Sequence, residues 1–189
     1  MVSKVKNPSG DGQPSNRAKL IDFAEKKADE LMKFHLEDMA ILSREVTATF
    51  TFIIAALSVA FGYLLNVYEP RADMRFQRWV WLAPTAAINL QLLFCASWLL
   101  IKAMGARRVE PLGNEPKNLL SEEALKADAE EVRLSECRNQ QARIEFNRSR
   151  NAFTAAELNR VRRWLLTVPL TFVVVWAAMA VSKALGWLA

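Results

Sequence analysis

The chain has 189 residues, 52% apolar and 24% charged, a balance that excludes intrinsic disorder. Its net charge is +5, and it carries two cysteines, one histidine and six glycines. No GxGxxG or GxxxxGKS loop is present to cradle a nucleotide, and no paired-cysteine spacing to hold zinc.

Residues 1–17, with Pro8, Gly10, Gly12 and Pro14 and no apolar periodicity, read as a disordered tail. From Ala18 the pattern becomes helical. Leu20, Ala24, Leu31, Phe34 or His35, Met39 and Leu42 recur at helix spacing, with Asp22–Lys26 and Asp29–Lys33 as i,i+4 pairs on the other side. This predicts an amphipathic helix over 18–45. Neither Gly nor Pro lies between Pro14 and Gly62, so the helix either continues past Glu45 or kinks near Ser43.

Three stretches then lack Asp, Glu, Lys, Arg and His altogether: Val46 to Tyr68 (23 residues), Trp79 to Ile101 (23) and Trp164 to Ser182 (19). Roughly 20 apolar residues in a helix span a bilayer's hydrocarbon. The fold class expected is therefore an all-α integral membrane protein with three transmembrane helices. The first two form a hairpin within 46–104 (spans about 46–68 and 79–103), and the third occupies 164–189. Between them, 105–163 begins with a turn at 110–116 and a helix N-cap at Ser121, followed by the acidic Glu122 and Glu123. No Gly or Pro separates Pro116 from Pro169, which predicts a helical arm of about forty residues with a thin apolar stripe of Leu125, Val132, Ile144, Phe153, Leu158 and Val161. That arm is expected to pair with the 18–45 helix or with other copies.

With three spans, 21 of the 25 basic residues fall on the side of the N-terminus and the arm, against four on the other. The positive-inside rule then puts the N-terminus and the arm in the cytoplasm and the C-terminus outside. Tyr63, Tyr68, Trp79, Trp81, Trp164 and Trp187 flank the runs as interfacial anchors, and Lys183 snorkels beside Trp187. Forty-five residues rich in charge precede the first run, so that run itself serves as insertion signal, with a bacterial inner membrane as destination. Topology accounts for the basic residues, and no nucleic-acid partner is expected.

Inside lipid, small and polar side chains mark helix contacts or hydrated paths. In the first run Thr47, Thr51, Ala55, Ser58, Gly62 and Asn66 form one continuous face. Thr85, Asn89 and Ala96 in the second and Thr167, Thr171, Ala178 and Ser182 in the third supply matching positions. Thr47, Thr51, Ser58, Gly62, Asn66, Asn89 and Thr171 are thus the candidate helix-packing or pore face. Asn89 and Gln91 cannot share a side, so at least one meets another helix or subunit. Arg107, Arg108, Arg160, Arg162 and Arg163 form a basic cluster at the inner headgroup level, facing anionic lipid or a ligand phosphate. The spans hold no base to activate their hydroxyls, and His35 with Asp38 is one pair rather than a constellation. No catalytic residue and no metal site are assigned.

The segment Leu42-Ser43-Arg44-Glu45-Val46-Thr47-Ala48-Thr49-Phe50-Thr51-Phe52-Ile53-Ile54-Ala55-Ala56, after a long charged helix, resembles small membrane effectors of bacterial antiphage systems. The transmembrane effectors of pyrimidine cyclase (Pycsar) systems are similar to it, and SLATT-type two-span effectors more distantly. The resemblance covers about a third of the chain. It implies a non-enzymatic effector activated through its cytoplasmic part by a cyclic nucleotide, cyclic UMP or cyclic CMP, and impairing the membrane as a homo-oligomer. No ligand-contacting residue carries over. The other readings open to this sequence are an anchor or scaffold for a soluble partner, and a holin-like or immunity membrane protein.

Overall fold

The computed structural model describes residues 16–68, 75–105 and 126–185, all but a few of them helical. Helix α1 runs Asn16–Tyr68, α2 Arg75–Leu99, a π-helical turn Leu100–Met104, α3 Ala129–Leu166 and α4 Val168–Ala184. The tail before Asn16, Arg107, Arg108, the turn at 110–116 and the Ser121 cap lie outside the described residues, as do Leu125 and Trp187. Asn16 and Arg17 already belong to α1, which is unbroken through Ser43. The amphipathic helix and the first apolar run are therefore one element, as the absence of Gly and Pro permits. Three helical stretches are long and apolar enough to cross a membrane: Asn16–Asn66, Val80–Met104 and Ala129–Ala184.

The chain forms two compact units, Met1–Glu37 with Val109–Arg148, and Asp38–Arg108 with Ser149–Ala189. In the first, α1 and α3 run parallel. Arg133 donates from Nε and Nη2 to the two oxygens of Glu25 at 2.8 and 2.7 Å, and also reaches Asp22. Gln140 Nε2 donates to Asp29 Oδ1 at 3.2 Å, and Asn147 Nδ2 to Met32 Sδ at 3.3 Å. Arg17 pairs with Glu130 at 3.4 Å. The enclosed positions include 21, 25, 28 and 32 of α1 and 133, 137, 140, 144 and 147 of α3. Both sets alternate steps of three and four, which keeps a contact line on one side of each helix, as in coiled coils.

This corrects the apolar face expected for 18–45. Ile21 and Met32 are buried, whereas Leu20 is 69% exposed and Phe34 56%. The occupied side is the one carrying Glu25, because a bidentate guanidinium–carboxylate pair with Arg133 is available there. Asp22 and Asp29 direct their carboxylates to α3 rather than to Lys26 and Lys33. Lys27 instead bonds Glu30 at 2.7 Å, and this bond with the lysine's charge lowers the Glu30 pKa. Burial raises the Cys137 thiol pKa, Glu25 adding to the effect and Arg133 opposing it.

In the second unit α1 is again parallel to α3, with Glu45 accepting from Arg162 at 3.0 Å. Helix α2 is antiparallel to α3 and α4, since Trp98, Gln91 and Trp81 meet Glu157, Trp164 and Phe172 in that order. Val46, Ile53, Leu92, Cys95, Ala96, Leu99, Leu158 and Val161 make its core. Pro84 is buried inside α2 without ending it. Pro169 divides α3 from α4: having no N–H, it cannot bond the Leu165 carbonyl, and the backbone turns at Thr167. The third apolar stretch thus starts within α3 and is interrupted three residues after Trp164. Only 6% of the apolar window in the first stretch and none of that in the third is buried. Their apolar side chains face outward, the reverse of a water-soluble core.

Replacing Arg133 leaves Glu25 and Asp22, neighbours on α1, without the cation they share. Arg133→Ala is expected to speed amide hydrogen exchange over 18–32 several-fold, and Arg133→Lys to recover only part of the protection, because an ammonium lacks the two-pronged fork. Cys137, holding less thiolate at neutral pH than an ordinary thiol, should react with maleimide more slowly than free cysteine at pH 7. The rate should climb as pH rises past the ordinary thiol range; equal rates at pH 7 would contradict its burial.

Candidate functional site

The small and polar face of α1 lies away from its buried side. Thr47, Thr51, Ser58 and Asn66 are exposed, Gly62 is half-buried, and a methyl group added to Gly62 would meet nothing within 4 Å. Val46, Ile53 and their neighbours, nearly half a turn away from that face, close the bundle instead. Thr47 Oγ1 donates to Ser43 O and Ser58 Oγ to Ile54 O, both at 2.9 Å, so these hydroxyls are returned to their own helix. Thr171 does likewise with Thr167 O at 3.2 Å. Ser58 and Asn89 come together beside a shallow cavity of about 330 Å³, with Leu57, Phe61, Leu90 and Leu93.

Asn89 Nδ2 donates to Thr85 O at 2.9 Å within α2. Gln91, on a different side, reaches another helix as its spacing from Asn89 anticipates. Its Nε2 donates to Trp164 O at 2.8 Å and to Thr167 Oγ1 at 2.9 Å. Thr167 Oγ1 also donates to Trp164 O at 2.7 Å. The Trp164 carbonyl also accepts from the Thr167 N–H at 3.1 Å, so the break between α3 and α4 is held both locally and from α2.

The charged residues at the ends of the apolar segments form a second constellation, which periodicity does not show. Glu157 is 5% exposed, yet it is a carboxylate. Trp98 Nε1 donates to its Oε2 at 2.7 Å, and Arg160 Nη1 to both its oxygens at 2.9 Å. The Arg160 guanidinium and the Lys102 ammonium lie 5.8 and 5.7 Å from the Trp98 ring centre, within cation–π reach. Trp164 packs against Phe94 and Trp98, with centroids 5.1 and 5.4 Å away, so it is part of this aromatic cluster. Arg160 and Arg162 of the basic cluster are thereby bound to Glu157 and Glu45, while Arg163 is exposed.

Nearby, α1, α3 and the residues that follow α2 enclose a crevice of about 440 Å³. Ser43, Thr47, Arg150, Asn151 and Thr154 provide polar groups, and Met39, Leu42, Val46, Ala103 and Met104 an apolar wall. Among the described residues, its lining contains one cationic side chain and no carboxylate. Such a mixture accommodates a small anion joined to an apolar or planar body. Thr47 is the one candidate packing residue that lines it. No family model, curated protein or solved structure matches this chain.

Glu157→Ala leaves Trp98 Nε1 and Arg160 without their acceptor. It should cost about 1–3 kcal/mol, the range for an orphaned buried polar group. Glu157→Gln, which keeps an acceptor for the indole, should cost less. Unfolding of the detergent-solubilised protein followed by tryptophan fluorescence reads the difference. Equal losses for the two variants would show that the indole bond contributes little.

Proposed function

We propose that the chain is a three-span membrane effector with its N-terminus and the α3 arm in the cytoplasm and its C-terminus outside, acting in a bacterial inner membrane. A small ligand bearing a phosphate enters the crevice and biases how the apolar segments pack. The observation that carries this reading is the crevice's position. Val46 and Thr47 open the apolar run of α1, Met104 and Gly105 follow that of α2, and Arg150, Asn151 and Thr154 precede that of α3. One occupant there touches all three. A ligand shifts an equilibrium only through different affinities for its two states. Moving a population from 1:99 to 99:1 takes about 10⁴-fold preference, so contacts to three helices are what such a ligand needs.

The resemblance over Leu42–Ala56 supplies the rest: the ligand is a cyclic pyrimidine nucleotide, cyclic UMP or cyclic CMP, and the outcome is an impaired membrane during phage infection. Thr47 falls in that segment and lines the crevice. Arg150 is the cation suited to the phosphate, while the apolar wall takes the base.

Expression in bacteria loaded with a membrane-potential dye tests this. Cyclic UMP or cyclic CMP should depolarise expressing cells, and cyclic AMP should not. Thr154→Phe, which fills the crevice, should lower the response at least tenfold at equal protein level. Unchanged polarisation with both pyrimidine nucleotides would refute the ligand.

A further inference from the structure

In the first unit α1 carries a second apolar stripe beside the one occupied by α3. Leu20, Phe23, Leu31 and Phe34 are each between 46% and 69% exposed, outside the apolar stretch of this helix. Four large apolar side chains along one stripe in water mark a surface that something covers. Positions 20, 24, 27, 31 and 34 alternate steps of four and three, the same rhythm as the line that meets α3. A partner that fits this spacing is another helix running alongside.

Helix α3 offers such a surface. On its side away from Arg133, Gln140 and Ile144, positions 135, 139, 142 and 146 repeat the rhythm and are all exposed. They carry Ser, Asn, Ala and Phe, without charge. The bonds Gln140–Asp29 and Asn147–Met32 put 29–32 of α1 level with 140–147 of α3. Copies inserted in one membrane share their orientation, so a neighbour presents its α3 parallel and at the same height. Pairing two α1 stripes about a two-fold axis would instead set Lys27 against Lys27 at the centre of the contact. Against α3, Lys27 meets Ser135 and Asn139.

We infer that the exposed stripe of α1 docks on the outer face of α3 in a second copy of this chain, with Leu31 and Phe34 against Ala142 and Phe146. The contact is head-to-tail, so an open row of copies leaves one α1 stripe at one end and one α3 face at the other, and the row becomes a ring where the rotation between copies closes. The inference rests on the three-span reading, through the shared orientation of copies, and is independent of the ligand.

Cross-linking of the full chain in native membranes tests it, in a Cys137→Ser background with Cys95 left buried. Chains carrying Leu31→Cys and Ala142→Cys, with different tags, are co-expressed and mildly oxidised, and Phe34→Cys with Phe146→Cys makes a second pair. Mixed dimers several-fold above those from Lys33→Cys with Ala142→Cys are expected in at least one pair. Same-residue dimers of Leu31→Cys exceeding the mixed ones would overturn the α1-on-α3 contact. Absence of both kinds, as when lipid or an unrelated protein covers the stripe, would overturn the second copy as occupant. Protease access to a C-terminal tag in the same vesicles reads orientation separately. Copies of mixed orientation would overturn the inference through its premise.

Discussion

A contact line with 3.5 residues per turn, shared by α1 and α3, is the constraint on which the structure depends. An undistorted helix has 3.6 residues per turn, so a line kept facing a neighbour requires steps of three and four in strict alternation. Both helices keep that alternation in the first unit, and in the second at 42, 46, 49 and 53 of α1 and 151, 154, 158 and 161 of α3. Apolar residues alone would leave their sliding register open. Arg133 against Glu25, Gln140 against Asp29 and Arg162 against Glu45 remove that freedom, because a displacement by one heptad would strand each group. Polar positions in or beside the line therefore select one alignment.

Where the chain becomes apolar, a different device takes over. Packing among Val46, Ile53, Leu92, Leu99, Leu158 and Val161 has little directional content, and three buried or half-buried polar groups supply it. Gln91 fixes α2 to the break between α3 and α4, and Trp98 fixes it to Glu157, further back along α3. A hydrogen bond in a low-dielectric surrounding is strengthened, and an unmade one there is costly, so these contacts narrow the arrangements open to the bundle.

Much of this is legible in the sequence, and the remainder fails for identifiable reasons. Runs without charge locate the three apolar stretches, since length and charge are properties of the chain itself. The choice of side on α1 is not legible. Leu20, Leu31 and Phe34 outweigh Ile21 and Met32 in any local count, and only Arg133, more than a hundred positions away, gives Glu25 its value. Glu157 is one of twenty acidic residues, with nothing nearby in sequence to mark it as buried. Its signal is Trp98, again distant. Gln91 is half readable: its spacing from Asn89 sends at least one of the two to another helix or subunit and does not say which. The crevice comes from three separated segments, so no local pattern outlines it. The hydroxyls of Thr47 and Ser58 look available on a helical wheel until their bonds to their own carbonyls are seen.

The parallel sense of α1 and α3 has a consequence for biosynthesis. Residues that meet across the pair are separated by 108 to 117 positions in the chain. At about 5–20 residues per second, a ribosome takes roughly 5–20 s to deliver the partner of a segment already made. Throughout that interval Ile21 and Met32 have no α3 to receive them, and this line of α1 stays uncovered until the arm is made.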